Sequence, residues 1–180
     1  MVAIYVLIDS INGEQRDHDL PCNSLYWQAV VYELLPLVAN KTQRLSEVTR
    51  AVVAGQSLGG LAALFAGLEF PQCFSAVVSQ SGSFWWPYQE YLQADPGQPC
   101  LRKPGIKGEL AQRLSQGEYS GDSLCVYLEV GSREDVMIDV NESLRDALIA
   151  NGHVVRYCEY EGGHDSACWR GGLLEGLSWV

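Results

Sequence analysis

Short apolar runs separated by amphipathic segments extend along this chain, and they predict strands that alternate with helices. Continuous apolar runs are typical of strands buried on both faces of a parallel sheet. Strands are predicted at residues 2–8, 49–54, 75–79, 124–130 and 154–160. Helices are predicted at residues 25–38 (with Ser24 as cap), 61–67, 109–116, 141–150 and 169–179. This alternation indicates one α/β domain with a mostly parallel sheet.

Two segments carry no hydrophobic period and are predicted to be long loops. Residues 9–23 are polar and rich in turn formers, and residues 81–108 are rich in glycine, proline and aromatic side chains. Long loops inside a compact domain often carry function. Both segments are therefore candidates for the surroundings of a site.

Composition narrows the classes of function. The 180 residues are 47% hydrophobic and 19% charged, and they carry a net charge of −10. This charge argues against nucleic acid or an anionic membrane as a partner. No apolar run reaches the ~18 residues of a membrane span, and we predict no signal peptide. The six cysteines form no CxxC pair, which indicates reduced thiols in a cytoplasmic protein rather than disulfides or a metal site.

Residues 52–60 read VVAGQSLGG, a β-branched run that enters Gly-x-Ser-x-Gly before a helix of small residues. This is the strand, turn and helix of a nucleophile elbow, in which strain exposes the serine hydroxyl. We predict Ser57 as nucleophile, and we expect Gly55 and Gly59 to be required because a Cβ at either would collide with neighbouring backbone. The alternative is a tight turn in which Ser57 only caps the helix.

A serine nucleophile needs a base, and the chain offers three histidines. In the hydrolase order of serine, acid and histidine, the histidine follows the last strand. His164 lies there, whereas His18 precedes the nucleophile and His153 is expected to face solvent. The alternative for His164 is a loop residue that caps the final helix.

The acid should follow the strand that ends at residue 130. Glu134 is preferred to the adjacent Asp135, and Glu129 lies inside the strand, where a structural role is expected. A serine–histidine dyad without an acid is the alternative. An oxyanion hole needs backbone N–H donors, and Leu58, directly after the nucleophile, supplies one.

Several strings resemble the catalytic domain of enterochelin (enterobactin) esterases, which open the trilactone of a ferric catecholate siderophore in the cytosol. The double tryptophan Trp85-Trp86 and the string CWRGG at residues 168–172 are more specific than the elbow. Further similarity lies in residues 19–23, 33–38, 52–57, 79–83 and 162–165.

The resemblance implies an α/β-hydrolase-type, doubly wound, mostly parallel sheet. Residues 2–8 would correspond to the family's fourth strand, so that earlier strands and an N-terminal domain would precede residue 1. The 180 residues would then form the C-terminal part of one catalytic domain. It implies a serine esterase for ferric enterobactin or a related catecholate siderophore, with Ser57, His164 and Glu134 as its catalytic residues.

The resemblance also implies how the substrate is held. Ferric enterobactin is an aromatic trianion, which cations and flat aromatic walls suit. The residues expected to bind it are Arg16, Trp85, Trp86, Trp169 and Arg170. The alternatives are loop packing for the double tryptophan and an ion pair of Arg16 with Asp17 or Asp19. No cofactor is expected, since the iron belongs to the substrate.

Two further interpretations of the whole chain stay open. One is another esterase of the same superfamily, such as a feruloyl esterase or an S-formylglutathione hydrolase. The other is an inactive, truncated remnant.

Overall fold

The computed structural model describes residues 4–10, 12–42, 51–93, 97, 101–119 and 121–180. Within them, four parallel strands lie side by side in chain order: β1 (Ala51–Gln56), β2 (Phe74–Gln80), β3 (Cys125–Gly131) and β4 (Val154–Tyr160). The helices are α1 (Gly13–Asp19), α2 (Ser24–Ala29), α3 (Leu35–Thr42), α4 (Leu58–Glu69), α5 (Glu109–Ser115), α6 (Val136–Ala150) and α7 (Ser166–Trp179). The predicted α/β class with a parallel sheet is confirmed.

The strands that start after the elbow are confirmed closely. β2 and β3 are apolar runs in which almost every residue is buried, whereas β4, the last strand of the described sheet, has no buried residue. β2, β3 and β4 cover the predicted strands at residues 75–79, 124–130 and 154–160 to within one residue at most ends. β1 begins at Ala51 and matches the predicted strand at residues 49–54, of which residues 49 and 50 lie outside the described residues. Helix α6 begins at Val136 instead of residue 141. Its first turn shows no amphipathic period in the sequence, because residues 136–140 are all buried.

The predicted strand at residues 2–8 is wrong where the structure describes it. Residues 4–8 have no regular structure, and their side chains are exposed, with Leu7 at 93%. An apolar run becomes a strand only where a neighbour completes its hydrogen bonds, and among the described residues no ladder reaches this segment. Residues 2 and 3 lie outside the described part.

The predicted loop at residues 9–23 contains a helix, α1. The Asn12 side chain caps it by accepting a hydrogen bond from the Gln15 N–H at 2.8 Å. None of its residues is buried, so no hydrophobic period could reveal it.

The predicted helix at residues 25–38 is confirmed as one continuous helical segment. Helix α2 passes through a π-helical turn (Val30–Leu34) into α3. Its cap is Asn23 rather than Ser24, because the Asn23 side chain accepts hydrogen bonds from the backbone of Leu25 and Tyr26.

Helices cover both faces of the sheet, as two successive residues of β2 show. Gly67 of α4 lies against Val77, whereas Gly176 of α7 lies against Val78 and Tyr127. Side chains of a strand alternate between faces, so α4 and α7 lie on opposite sides. Because all four strands are parallel, their carboxyl ends meet at one edge of the sheet.

The described part of residues 81–108 contains turns and one short 3-10 helix (Gln89–Leu92), in agreement with the predicted loop. No helix among the described residues is long and apolar enough to cross a membrane.

Candidate active site

Ser57 occupies a sharp turn between β1 and α4, with φ of 55° and ψ of −123°. A positive φ is unfavourable for a residue with a side chain, and such strain is common at catalytic turns. Backbone hydrogen bonds hold the turn: the Ser57 N–H donates to Gln80 O at 2.9 Å, and the Ser83 N–H donates to Ser57 O at 3.0 Å. The Ser57 side chain makes no capping hydrogen bond to α4, so the interpretation of Ser57 as a helix cap is wrong.

Gly55 fits the predicted elbow, but Gly59 does not. A Cβ on Gly55 would lie 2.2 Å from the carbonyl oxygen of Gly59, which is impossible without backbone movement. A Cβ on Gly59 would meet no atom of the neighbouring described residues within 4 Å, so the predicted collision at Gly59 is wrong. The close approach on the helix side falls instead on Gly60, whose Cβ would lie 2.6 Å from the Ser79 hydroxyl.

His164, in the loop after β4, meets Glu134, in the loop after β3. The distance between His164 Nδ1 and Glu134 Oε2 is 2.6 Å. The Glu134 side chain is 1% exposed and that of His164 is 39% exposed. Asp135, the other candidate acid, is an exposed residue at the N-terminus of α6. The structure thus pairs the predicted base with the preferred acid.

The second carboxylate oxygen of Glu134, Oε1, accepts three hydrogen bonds. The donors are the Ser81 hydroxyl at 2.6 Å, the Gly131 N–H at 2.8 Å and the Tyr160 hydroxyl at 3.0 Å. Burial alone would raise the pKa of Glu134, but hydrogen bonds from His164, Ser81 and the Gly131 backbone outweigh it and lower that pKa. The carboxylate is therefore ionised and accepts the Nδ1 proton, which leaves Nε2 of His164 free to act as a base.

Ser57 and His164 follow β1 and β4 at the same edge of the sheet. The Ser57 hydroxyl oxygen lies 3.4 Å from the Ser83 hydroxyl oxygen, and in the described part of the chain it has no direct hydrogen bond to His164. Hydrogen bonds to a nucleophile often tighten only when substrate binds. Leu58, the first residue of α4, places its N–H beside the nucleophile at the positive end of the helix dipole, as the predicted oxyanion donor requires.

The residues predicted to bind substrate are placed very differently from one another. The Trp169 indole N–H donates to the Ser81 hydroxyl at 2.9 Å, and its ring meets the His164 ring edge-on with centroids 4.8 Å apart. Trp85 and Trp86 are half-buried and pack against the core, as the loop-packing alternative expects. Arg16 lies in α1 and forms an ion pair with Asp17 at 3.6 Å, and Arg170 is exposed on α7.

Glu129 is buried beneath the site, as expected for a structural residue. Its carboxylate accepts hydrogen bonds from the Gln80 amide at 2.5 Å and the Tyr127 hydroxyl at 3.2 Å. Burial raises the pKa of Glu129. Among the described residues, no group of three or more His, Cys, Asp or Glu side chains could hold a metal ion.

The other two histidines lie elsewhere. His18 pairs with Asp19 at 2.9 Å on α1. His153 is 7% exposed, so the expectation that it faces solvent is wrong. Its Nδ1 accepts a hydrogen bond from the Leu124 N–H at 3.2 Å, where β3 and β4 begin, and burial lowers the pKa of its imidazole.

Sequence reasoning assigned no role to Ser81, Ser83 or Tyr160, although the structure brings all three into the site. The signal was their position, since Ser81 and Ser83 come directly after the end of β2 and Tyr160 ends β4. Residues at the carboxyl ends of neighbouring parallel strands share one edge of the sheet.

The chain is similar in sequence to known esterases. The chain is 44% identical over 178 residues to the iron(III) enterobactin esterase of Dickeya dadantii, covering 99% of the chain and 40% of that protein. It is 33% identical over 187 residues to the iron(III) salmochelin esterase of Escherichia coli O6:H1, covering 98% and 42%. The chain therefore spans about two fifths of the length of the curated relatives it matches.

A solved structure extends the likeness to the fold. The enterobactin esterase of Shigella flexneri, solved in the presence of enterobactin, superimposes with a TM-score of 0.83 at 43% identity, covering 97% of this chain and 41% of that one. The profile of the Esterase family, whose description reads "Putative esterase", matches residues 9–180. With the elbow, the glutamate–histidine pair and this match in place, the chain belongs to the Esterase family.

Proposed function

We propose that the chain is a serine carboxylic ester hydrolase that cleaves the ester bonds of ferric enterobactin or a related catecholate siderophore. The observation that carries the proposal is the 2.6 Å contact between His164 and a buried, ionised Glu134, at the sheet edge where strained Ser57 also lies. A buried carboxylate that accepts a hydrogen bond from a histidine ring is the arrangement that prepares the histidine to activate a serine hydroxyl.

In acylation, the Ser57 hydroxyl turns from Ser83 toward Nε2 of His164 and attacks an ester carbonyl. His164 takes the hydroxyl proton, and Glu134 stabilises the resulting imidazolium through Nδ1–H. The carbonyl oxygen becomes negative and accepts a hydrogen bond from the Leu58 N–H. When the tetrahedral intermediate collapses, the bond between the carbonyl carbon and the ester oxygen breaks. His164 protonates that oxygen, which leaves as a seryl hydroxyl.

In deacylation, water replaces the alcohol. His164 removes a proton from the water as it attacks the acyl-enzyme, and the proton then returns to the Ser57 oxygen. Each turnover converts one ester into a carboxylic acid and an alcohol. With a trilactone, the products are the linear trimer and then the dimer and monomer of dihydroxybenzoylserine.

The substrate class is supported by the similar proteins, which are iron(III) enterobactin and iron(III) salmochelin esterases, whereas the net charge of the chain opposes an anionic substrate. The chain carries a net charge of −10, so a trianionic substrate needs local cations to overcome the overall field. Arg170 lies one residue after Trp169 and six residues after His164 and is exposed; we propose that it contacts the ferric catecholate. Arg16, Trp85 and Trp86 remain secondary candidates. The iron arrives with the substrate, and we propose no resident cofactor and a cytoplasmic location.

The test is hydrolysis of ferric enterobactin by the 180-residue chain, with products separated by chromatography. The expected result is release of linear dihydroxybenzoylserine oligomers by the wild type and none by Ser57→Ala. S-Formylglutathione and a feruloyl ester serve as competing substrates. Faster turnover of either competitor would contradict the siderophore assignment, and equal hydrolysis by Ser57→Ala would contradict the serine mechanism.

A further inference from the structure

We infer that Trp169 is a positioning residue, which acts through Ser81 on the Glu134–His164 pair rather than as a wall that contacts substrate. The inference rests on the proposed function, because it assigns the residues that hold the catalytic base in place. Three sets of contacts carry it: the indole N–H, the indole ring and the Trp169 backbone.

The indole N–H fixes the direction of the Ser81 hydroxyl. A serine hydroxyl has one proton to donate and two lone pairs to accept hydrogen bonds. The Trp169 N–H donates to the Ser81 oxygen at 2.9 Å, and the Ser81 hydroxyl lies 2.6 Å from Glu134 Oε1. The indole N–H can only donate, and the Tyr160 hydroxyl oxygen lies farther from the Ser81 oxygen, at 3.2 Å. The single Ser81 proton therefore points at the carboxylate, which is the nearer acceptor and the charged one.

The indole ring limits how the imidazole can turn. The two rings meet at 87° with centroids 4.8 Å apart, a favourable edge-to-face contact. Glu134 holds Nδ1 of His164 from one side while the Trp169 ring borders the imidazole from another. These two contacts together define the direction in which Nε2 of His164 points.

The backbone of Trp169 is itself anchored to the buried layer under the site. The Gln80 side-chain amide donates to Trp169 O at 2.7 Å and to Glu129 Oε1 at 2.5 Å. An amide NH₂ carries two hydrogens, so both bonds form at once. Glu129 is 2% exposed, which means that this anchor lies out of reach of solvent. Buried Glu129 therefore orients the Gln80 side-chain amide, and this amide in turn holds the Trp169 carbonyl.

These contacts differ from what a substrate wall would need. A stacking surface requires only an exposed ring face, whereas the Trp169 N–H, ring edge contact and carbonyl are all directed inward to Ser81, His164 and Gln80. Loss of the indole N–H should consequently slow the chemical step and leave substrate affinity unchanged.

The experiment compares Trp169→Phe, Ser81→Ala and the double variant in the 180-residue chain, with ferric enterobactin and p-nitrophenyl butyrate as substrates. Trp27→Phe is the matched control: Trp27 is buried, and its indole nitrogen has no hydrogen-bond partner in the described part of the structure. We expect Trp169→Phe to lower kcat roughly 3- to 10-fold, the effect of one neutral hydrogen bond, with KM unchanged. Ser81→Ala should lower kcat by about tenfold or more, also with KM unchanged, because Ser81 donates to a charged carboxylate.

The double variant tests whether Trp169 acts through Ser81. If it does, adding Trp169→Phe to Ser81→Ala should change kcat by less than about 2-fold, because the two residues belong to one chain of hydrogen bonds. Effects that multiply, or a rise in KM with unchanged kcat, would overturn the inference. Trp27→Phe should leave both constants unaltered.

A measurement without substrate separates this inference from the proposed function. Proton NMR detects the His164 Nδ1–H that donates to Glu134 as a far-downfield signal. We expect the signal in the wild type and in Trp27→Phe, and a shifted or exchange-broadened signal in Trp169→Phe and Ser81→Ala. An unchanged signal in both variants would overturn the positioning role even if the chain hydrolysed no ester. A changed signal in a chain without esterase activity would refute the proposed function alone.

Discussion

Replacing Glu134 by glutamine tests how the acid holds its histidine. The Glu134 carboxylate accepts four hydrogen bonds, three at Oε1 and one from His164 at Oε2. An amide accepts at only one end, so Glu134→Gln must turn its NH₂ either toward the three donors or toward His164. If the NH₂ faces His164, Nδ1 has to accept, and the proton moves to Nε2, where it blocks the base.

The size of the effect follows from these two orientations. An orienting acid replaced by its amide lowers kcat by about 10⁴ in a serine–histidine–acid triad, because the histidine adopts the wrong tautomer. In the opposite orientation the buried donors face the glutamine NH₂, and each donor left without an acceptor costs about 1–3 kcal/mol of folding stability. Three donors converge on Oε1 against one on Oε2, so the oxygen of the glutamine should stay with the three donors and the NH₂ should face His164. We therefore expect the loss to lie in kcat more than in stability.

The assay is kcat for ester hydrolysis with a thermal melt of each variant. Asp135→Asn is the control, since Asp135 is exposed and asparagine tolerates its φ of 46°. We expect Glu134→Gln to lose on the order of 10³- to 10⁴-fold in kcat and Asp135→Asn to stay near wild type. Equal loss in both, or Glu134→Gln within tenfold of wild type, would refute the assignment of Glu134.

Further perturbations examine the elbow, the pH dependence and the substrate. Gly55→Ala should unfold or inactivate the chain, because its Cβ would lie 2.2 Å from the carbonyl oxygen of Gly59. Gly59→Ala should keep the wild-type melting temperature, because its Cβ would meet no described residue within 4 Å. A larger loss of stability in Gly59→Ala than in Gly55→Ala would contradict the packing. His153 has a lowered pKa and must stay neutral to accept the Leu124 N–H, so its stabilisation is complete above the ordinary value of 6.5 and declines as pH falls through and below it. Denaturant unfolding at pH 7.5 and 5.0 should show this loss in wild type and a smaller one in His153→Gln; equal losses would exclude His153 as the cause. Arg170→Ala should raise KM for ferric enterobactin about tenfold or more, as expected for a charge-assisted hydrogen bond, but not KM for p-nitrophenyl butyrate; an equal rise for both would make the arginine structural.

The parts of the fold that the sequence predicts are those fixed by local burial. β2 and β3 are apolar runs in which almost every residue is buried, and the elbow joins β1, a serine with positive φ and α4 in consecutive residues. β4 was also predicted, although none of its residues is buried. Residues 4–8 are equally apolar yet form no strand. An apolar segment can be buried, but it forms a strand only if a neighbouring strand of the sheet supplies its hydrogen bonds.

The contact between Glu134 and His164 was predictable from their order along the chain, and its surroundings were not. Glu134 and His164 each follow a strand, which fixes their edge of the sheet. Ser81 and Trp169, by contrast, are 88 residues apart and meet only because β2 and α7 pack together. The error at Gly59 has the same origin, since only the observed path of α4 decides which glycine faces a crowded backbone.

Peptide mapping after reaction with ferric enterobactin tests the serine mechanism most directly. The 180-residue chain is mixed with substrate, quenched in acid within one turnover, digested and analysed by mass spectrometry. Because opening the trilactone releases no unit, the mechanism predicts a linear trimer of dihydroxybenzoylserine as the acyl group on Ser57, absent from Ser57→Ala and strongly reduced in His164→Ala. Acylation of Ser83, whose hydroxyl lies 3.4 Å away, or product formation without any acylated serine would contradict it.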